Sequence, residues 1–217
     1  NRYNSNALFC LGMIYYDFNS VWKDINKSIN YFKLSSNLNN EFAQCILGLL
    51  YYFDEEIQRD IDKVIHYLTL SANQNVLISQ VELGIIYYSG EYVQKDITKS
   101  IHYFKEASCY YDNRSKNNLG VIYKNGDGVK QNIYNAIEYF EESIRQKNDL
   151  FSTYNLLRIY YFGIDIEQNI GKMNHLIQRI KDDKSNEINL FLFFIYTYGG
   201  KTIKNDEKSK YYESLIY

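Results

Sequence analysis

The sequence repeats itself every 36 residues, and this period constrains the fold more than any other feature. The pair Leu-Gly recurs at 11–12, 47–48, 83–84 and 119–120, and each glycine is followed three residues later by a tyrosine. A fixed period of roughly 20–50 residues is typical of solenoids, in which each unit buries its apolar face by stacking on the next. The period therefore predicts a repeat array and argues against most enzyme folds.

One copy of the repeat reads as a helical hairpin. In the third copy, apolar residues cluster from Val81 to Tyr88, Gly90 interrupts the pattern, and a second apolar stripe follows Asp96. The stripe has spacings of three and four, which indicate an amphipathic helix, and a glycine after a helical run favours its end. The chain contains no proline, the strongest helix breaker. We therefore predict an all-α fold built from about six antiparallel helix pairs.

The position that opens each second helix is occupied only by Asp or Asn. Both side chains accept hydrogen bonds from free amides of the first helical turn, which contributes about 1 kcal/mol over Ala. A row of carboxylates for a metal or for catalysis is the alternative, but half of the six residues are uncharged amides. We predict structural capping at Asp24, Asp60, Asp96, Asn132, Asn169 and Asn205.

In each of the first four repeats, the first helix contains a glycine, and we expect packing to explain it. Gly12, Gly48, Gly84 and Gly120 each cost about 1 kcal/mol relative to Ala in a helix. We expect close approach of the second helix of the same hairpin. Leu157 and Phe193 take the place of the glycine later in the chain, so the last two repeats should pack differently.

The spacing slips to 37 between the fourth and fifth copies, which places one inserted residue around 146–151. The insertion lies in a link, where it costs little. We therefore expect a single domain over 1–217, with repeats at approximately 5–40, 41–76, 77–112, 113–149, 150–185 and 186–217.

The pattern of helix, turn and cap residues resembles the Sel-one-like repeat, a branch of the tetratricopeptide-repeat superfamily. The third copy carries it as Leu83-Gly84-x-x-Tyr87-x-x-Gly90, followed by Asp96-x-x-Lys99-Ser100-x-x-Tyr103-Phe104. The first two copies lack the loop glycines and the last two lack the helix glycine. The resemblance implies an α-solenoid with a right-handed superhelix, and proteins of this family serve as adaptors and scaffolds in signalling, membrane-associated assembly, quality control and host interaction.

The composition limits the kinds of partner and the cellular compartments that we expect for the protein. The net charge of −2 gives no electrostatic case for nucleic acid. No apolar run reaches membrane-spanning length. Cys10, Cys45 and Cys109 form no CxxC pair, so we expect buried thiols and a cytoplasmic location. Because the sequence starts with Asn, we expect a piece of a longer protein. If an upstream signal was removed, the protein could instead enter the secretory pathway or the endoplasmic-reticulum lumen. Glycosylation of Asn113, which we expect in a loop, would also favour that alternative.

Three further patterns have a chemical and a structural interpretation. His66, His102 and His175 share one repeat position, but residues one repeat apart do not converge on a metal, so we expect surface histidines. The lysine column at the third residue of the second helices favours salt bridges over a basic binding stripe. The glycines of 125–128 are expected in a hairpin turn rather than a phosphate loop. We predict no catalytic residues, no metal and no cofactor.

The candidate binding site is the inner face of the first helices. In related folds this face lines the concave side, and spacings of three and four place these residues on one helical face. We expect Cys45 and Val81 on the same face. The predicted partner-binding residues are Phe9, Met13, Tyr16, Leu49, Tyr52, Ile85, Tyr88, Arg114, Asn117, Lys124, Tyr154, Arg158 and Tyr161.

A Tyr-rich apolar face with Arg and Lys toward one end suits an extended or helical peptide with acidic residues. The alternative is that these residues only pack neighbouring first helices. We expect a non-catalytic scaffold or adaptor that binds a protein or peptide of unknown identity. Two other functions remain open: a regulatory region of a larger enzyme or complex, such as a ubiquitin-ligase or membrane-assembly adaptor, and a secreted host-interaction factor.

Overall fold

The computed structural model describes residues 2–17, 21–110, 112–146, 149–163, 166–180, 186–198 and 204–215. These ranges form twelve α-helices and no strand. The first helices of the hairpins are α1 (Arg2–Tyr16), α3 (Glu41–Phe53), α5 (Leu77–Ser89), α7 (Asn113–Asn125), α9 (Leu150–Phe162) and α11 (Asn186–Tyr198). The second helices are α2 (Ile25–Asn37), α4 (Ile61–Ala72), α6 (Ile97–Ser108), α8 (Ile133–Gln146), α10 (Ile170–Ile180) and α12 (Asp206–Ser214).

The helices group into two compact units, Asn1–Ser115 and Lys116–Tyr217, and the boundary falls inside α7. Each unit has its own apolar core. Phe32, Leu47 and Leu68 are fully buried in the first core, and Phe140 and Leu156 in the second. Within the described ranges, no helix is long and apolar enough to cross a membrane.

All six predicted caps form the expected hydrogen bond. Each Asp or Asn side chain accepts from the backbone amide three residues later, at 2.9–3.1 Å. The backbone amide of each cap donates back to the carbonyl of the first-helix tyrosine, for example from Asp96 to Tyr87 at 3.0 Å. The cap therefore fixes both the start of the second helix and its distance from the first.

The four helix glycines lie where the prediction placed a close approach. A Cβ added at Gly84 would come within 2.6 Å of the Phe104 ring, and one at Gly48 within 2.6 Å of the Leu68 side chain. Gly12 and Gly120 face Phe32 and Phe140 in the same way. Real Cβ contacts are not this short, so any side chain at these positions must displace the second helix or its large residue.

Stacked tyrosines join the two helices in five of the six hairpins, next to the cap. The rings of five pairs lie nearly parallel, at 4–10°, with centroids 5.5–6.1 Å apart. The pairs join first and second helices: Tyr15–Tyr31, Tyr51–Tyr67, Tyr87–Tyr103, Tyr123–Tyr139 and Tyr196–Tyr212. The fifth hairpin has Leu176 in the second position of the pair, so Tyr160 has no stacking tyrosine there.

The lysine column contributes to the framework, as its salt-bridge interpretation predicted. Lys27, Lys63 and Lys99 pair with the cap aspartates of their own helices at 2.6–3.6 Å. The ammonium group also lies over the first-helix tyrosine, 4.8 Å from the ring centroid in the case of Lys99 and Tyr87. The cap carboxylate and the ring offset the unfavourable position of a cation at a helix N-terminus.

The structure corrects two of the sequence expectations. Asn113 does not sit in a loop: it is the first residue of α7. Only Cys45 among the cysteines is buried, whereas Cys10 and Cys109 are exposed. The turn glycines are as predicted, since Gly90, Gly126 and Gly128 have φ of 65°, 75° and 65°. Residues 147 and 148, where the inserted residue was expected, lie outside the described residues.

Candidate interaction surface

The thirteen predicted partner-binding residues, called here the first-helix surface, lie on α1, α3, α5, α7 and α9. Met13, Arg114 and Arg158 are exposed and the other ten are half-buried. The residues up to Arg114 belong to the first unit and those from Asn117 onward to the second. Cys45 and Val81 were expected on the same face, but they are 4% and 0% exposed and so are unavailable to a ligand.

In the first unit, Tyr16 is held at the edge of an open cavity. Its hydroxyl donates to Asp54 Oδ2 in the next repeat at 3.3 Å. Burial, followed by the Asp54 carboxylate, raises the pKa of Tyr16, so the hydroxyl stays neutral and able to donate. Phe9 instead contacts the rings of Phe32 and Phe42, at centroid distances of 5.7 and 6.3 Å, and contributes mainly to packing.

The cavity beside Tyr16 has a volume of about 580 Å³ and a mixed lining. Leu49 and Phe53 contribute apolar surface, and the side chain of Phe53 is 60% exposed. Asp54, Glu55 and Glu56 contribute carboxylates, of which Glu56 pairs with Lys23 at 2.6 Å. An apolar pocket with acidic groups at its edge suits an apolar side chain that has a basic neighbour.

Tyr52 lies in a cluster of rings around one guanidinium. Its ring meets Phe53 and Tyr92 edge-on at 4.5 and 5.8 Å. Arg59 lies 5.7 Å from the Tyr52 centroid and donates to the Tyr92 hydroxyl at 2.7 Å. Burial, followed by the Glu91 charge, raises the pKa of Tyr52. The cluster orients Tyr52 but leaves its ring half-buried rather than freely accessible.

Ile85, Tyr88 and Arg114 complete the surface of the first unit. Lys95 lies 5.1 Å from the centroid of the half-buried Tyr88 ring. Arg114 pairs with Glu82 at 3.7 Å, although the Arg114 side chain remains 59% exposed. Burial raises the pKa of Glu82 and the Arg114 charge opposes that shift. The positive charge of Arg114, which was predicted to face an acidic partner, is thus paired with Glu82 within the protein.

In the second unit, an amide network surrounds a half-buried cation. Lys124 Nζ donates to Asn155 Oδ1 at 2.8 Å, and Asn155 in turn donates to Asn117 Oδ1 at 3.3 Å. Desolvation, followed by the Arg158 charge, lowers the pKa of Lys124, and Asp127 opposes the shift weakly. Arg158 lies over the Tyr154 ring at 5.7 Å. An acidic group bound between Lys124 and Arg158 would relieve their repulsion.

Tyr154 and Tyr161 contact the following first helix. The Tyr154 ring lies 4.9 Å from that of Phe191, and Tyr161 meets Phe191 and Phe194 at 6.4 and 6.2 Å. These contacts show that the face packs neighbouring helices as well as presenting side chains. The packing interpretation therefore applies to Tyr154 and Tyr161.

A further column of residues, not predicted from the sequence, contacts the ends of the helices that carry this surface. Arg59, Gln131 and Gln168 donate to the carbonyls of Tyr52, Lys124 and Tyr161, at 3.1, 3.0 and 2.8 Å. These acceptors lie at the C-terminal ends of first helices, where carbonyls lack helical partners. The signal was present, because the residue before every Asp or Asn cap is Lys, Arg or Gln.

The three histidines do not form a metal site. His66, His102 and His175 are all exposed, and His66 and His102 lie against the neighbouring Tyr67 and Tyr103 rings at 5.0 and 5.2 Å. Across the part of the chain that the structure describes, no group of three or more His, Cys, Asp or Glu residues is arranged to hold a metal ion.

Comparison with known proteins identifies the repeat. A family model described as "Sel1 repeat" matches residues 6–40, 42–76, 77–109 and 114–148, more than half of the 217 residues. No curated protein is significantly similar in sequence.

Solved structures share the fold at low sequence identity. A protective antigen of uropathogenic Escherichia coli with an SLR fold matches 98% of this chain with a TM-score of 0.87 and 22% identity; the chain spans only 45% of that protein. A Sel1 repeat protein from Oxalobacter formigenes matches with a TM-score of 0.78 and 22% identity, and the match covers 98% of this chain and 87% of that protein. An immunity protein from Pseudomonas aeruginosa matches with a TM-score of 0.51 and 10% identity, and the match covers 98% of this chain and 80% of the immunity protein. These matches establish a helical solenoid.

Proposed function

This chain belongs to the Sel1 repeat family, and from that premise we propose that it is a non-catalytic scaffold that binds a protein or peptide on its first-helix surface. Sel1 repeats generally mediate protein binding, and the caps, glycines and stacked tyrosines are all explained by packing. The single observation that carries the proposal is the 580 Å³ cavity beside Tyr16 and Leu49, where apolar surface is open next to side chains held in place.

The two units favour different chemistry in a partner. In the first unit, the carboxylates of Asp54 and Glu55 stand beside apolar Leu49 and Phe53, which favours an apolar segment with Lys or Arg. In the second unit, Lys124 and Arg158 favour an acidic residue, because neither cation has an ion-pair partner among the described residues. This extends the sequence-based expectation, which named only acidic residues.

We propose a cytoplasmic location because of the state of the cysteines. All three cysteines are free, and the exposed thiols of Cys10 and Cys109 suit a reducing compartment, where such groups persist without forming disulfides.

The proposal is tested with peptides selected for binding from a displayed random library. Met13→Ala and Leu49→Ala in the first unit, or Lys124→Ala and Arg158→Ala in the second, should raise the Kd of a selected peptide about tenfold, the size expected for a central contact. Fluorescence anisotropy measures the Kd, and circular dichroism checks that helicity is kept.

The matched controls are Leu70→Ala and Tyr134→Ala, which remove exposed side chains from second helices. Their Kd values should stay within about twofold of that of the unmodified protein, since ordinary surface contacts contribute little. Selected peptides whose binding depends on Leu70 or Tyr134 and not on the first-helix surface would disprove the assignment.

A further inference from the structure

The second unit contains a cavity of about 410 Å³ between α8, α9 and α10, away from the first-helix surface. Its apolar lining comes from Ile144, Leu156 and Leu176, with Tyr160 beside them. Four basic side chains also line it: Arg145, Lys172, His175 and Arg179. The only carboxylate in the lining is that of Glu141.

The cavity lies where the fifth repeat lacks a tyrosine that the other five hairpins have. Counting 37 residues back, Leu176 corresponds to Tyr139, whose ring stacks on Tyr123 at 5.6 Å. Replacing the stacked tyrosine by leucine leaves room beside Tyr160 that the tyrosine pair fills in the other hairpins.

The same comparison shows that the charge of this surface is reversed. His175 and Arg179 occupy the positions of Glu138 and Glu142, and Arg145 occupies that of Cys109. The fourth repeat thus offers carboxylates at two positions where the fifth offers His175 and Arg179. Loss of bulk and gain of positive charge at one place are independent changes, and both favour a bound anion.

The framework of the cavity is fixed by hydrogen bonds. Lys172 Nζ contacts Glu141 Oε1 and the Tyr160 hydroxyl, each at 3.1 Å. Arg179 Nη2 donates to the Ile144 carbonyl at 2.8 Å, which holds the guanidinium at the edge of the cavity. Neither Arg145 nor His175 takes part in an ion pair within the described ranges, and both side chains are exposed.

We propose that this cavity binds a phosphate monoester carried on an apolar body. Arg145 and Lys172 face the one carboxylate of the lining, that of Glu141, so the net charge of the lining is positive before Arg179 and His175 are counted. A phosphate monoester carries about −1.5 to −2 at neutral pH and accepts paired hydrogen bonds from guanidinium groups. Ile144, Leu156 and Leu176 would contact its apolar part. The volume lies within the roughly 300–1,000 Å³ of small-ligand sites.

The test uses phenyl phosphate as the probe, titrated into the whole chain by isothermal calorimetry. We expect saturable binding that Arg145→Ala weakens at least about tenfold, the loss of one charge-assisted contact. The matched control is Lys210→Ala, which removes an exposed lysine of α12 outside the cavity and should leave binding unchanged. Undetectable binding, or equal weakening by both substitutions, would overturn the proposal.

A second variant tests the repeat comparison directly. Leu176→Tyr restores the residue of the fourth repeat and should abolish binding by filling the space beside Tyr160. If Leu176→Tyr does not fold, Arg145→Glu replaces it in the test, because it reverses the charge of an exposed residue of the cavity lining and should also abolish binding. Retained binding in the folded Leu176→Tyr protein, or in Arg145→Glu, would contradict the site.

Two more probes identify the source of the ester. A short peptide with one phosphotyrosine that binds more tightly than phenyl phosphate supports a protein-borne ester, and equal affinity supports a free small molecule. Inorganic phosphate should bind at least about tenfold more weakly than phenyl phosphate, because it makes no apolar contact. Equal affinity of the two would contradict a site for an ester. Since the cavity lining contains none of the thirteen residues of the first-helix surface, this outcome is independent of peptide binding there.

Discussion

At the scale of single residues, one short interaction set recurs in every hairpin. An Asp or Asn caps the second helix, and in five of the six copies a lysine two residues into that helix lies over the first-helix tyrosine, at 4.8–5.5 Å. The cap, the cation and the ring therefore stabilise each other locally. The positions are constant because the geometry is constant, and in our account this set stabilises the fold rather than choosing a partner.

Replacing Asp60 by Asn should make the first unit less sensitive to acid. Hydrogen bonds from the Lys63 side chain and backbone lower the pKa of Asp60. A carboxylate whose pKa is lower in the folded state stabilises the protein above the unfolded pKa of about 3.9, and this contribution is lost as the pH falls through the folded pKa. Asn keeps the cap bond at any pH, as Asn132 does at 3.1 Å.

Urea unfolding at several pH values measures this effect. Any stability advantage of the unmodified protein over Asp60→Asn at pH 7 should shrink as the pH drops below about 4. Asp62→Asn, an exposed carboxylate in the same helix, is the control. A difference between the unmodified protein and Asp60→Asn that stays constant down to pH 2 would show that the cap carboxylate is not coupled to folding.

At the scale of the helix pair, packing depends on a small residue opposite a large one. Glycine on the first helix faces Phe or Leu on the second in four hairpins. In the fifth hairpin, Leu157 takes the glycine position and Ile177 takes the place of the phenylalanine. Both are buried in the core of the second unit. In the sixth, Phe193 is matched with exposed Glu213. The last two repeats therefore form hairpins with other residue pairs at these two positions.

Gly84→Ala should destabilise the protein by about 1–3 kcal/mol, the usual cost of overpacking a core. The new methyl would lie 2.6 Å from the Phe104 ring, which outweighs the better helix propensity of Ala. Gly171→Ala is the control, since the nearest atom to its added Cβ is 3.6 Å away, an ordinary contact. Denaturant unfolding compares the two.

A rescue variant makes this prediction specific. Gly84→Leu with Phe104→Ile copies the pairing of the fifth hairpin and should recover part of the stability lost by Gly84→Leu alone. If Gly84→Ala is as stable as the unmodified protein, or Phe104→Ile gives no recovery, close approach is not the reason for the glycine.

The hairpin could be predicted from the sequence because its determinants are local and repeated. The caps recur in six copies, the helix glycines in four, and the turn glycines in fewer, each at a fixed spacing that identifies them. Burial across repeats could not be predicted in this way: Cys45 and Val81 share the spacing of Leu49 and Ile85 but face the core. The cavity at Leu176 required knowing that Tyr139 stacks on Tyr123, which the sequence alone does not state.

At the scale of the whole molecule, a constant framework carries variable surfaces. The first unit presents apolar residues next to Asp54 and Glu55, and the second presents Lys124 and Arg158. None of these charges belongs to the cap, helix-glycine or tyrosine columns. In our account the repeated positions hold the fold together, and partner binding depends on first-helix residues that differ from copy to copy.

The most direct test of this claim is photocrosslinking in the cell that produces the protein. A benzophenone amino acid is placed on the first-helix surface at Met13 or Arg158, or on second helices at Leu70 or Tyr134; Met13 and Leu70 are comparably exposed, at 41% and 37%. We expect the same partner protein to be crosslinked from Met13 or Arg158, and not from Leu70 or Tyr134. Crosslinking of the partner only from Leu70 or Tyr134 would contradict the account.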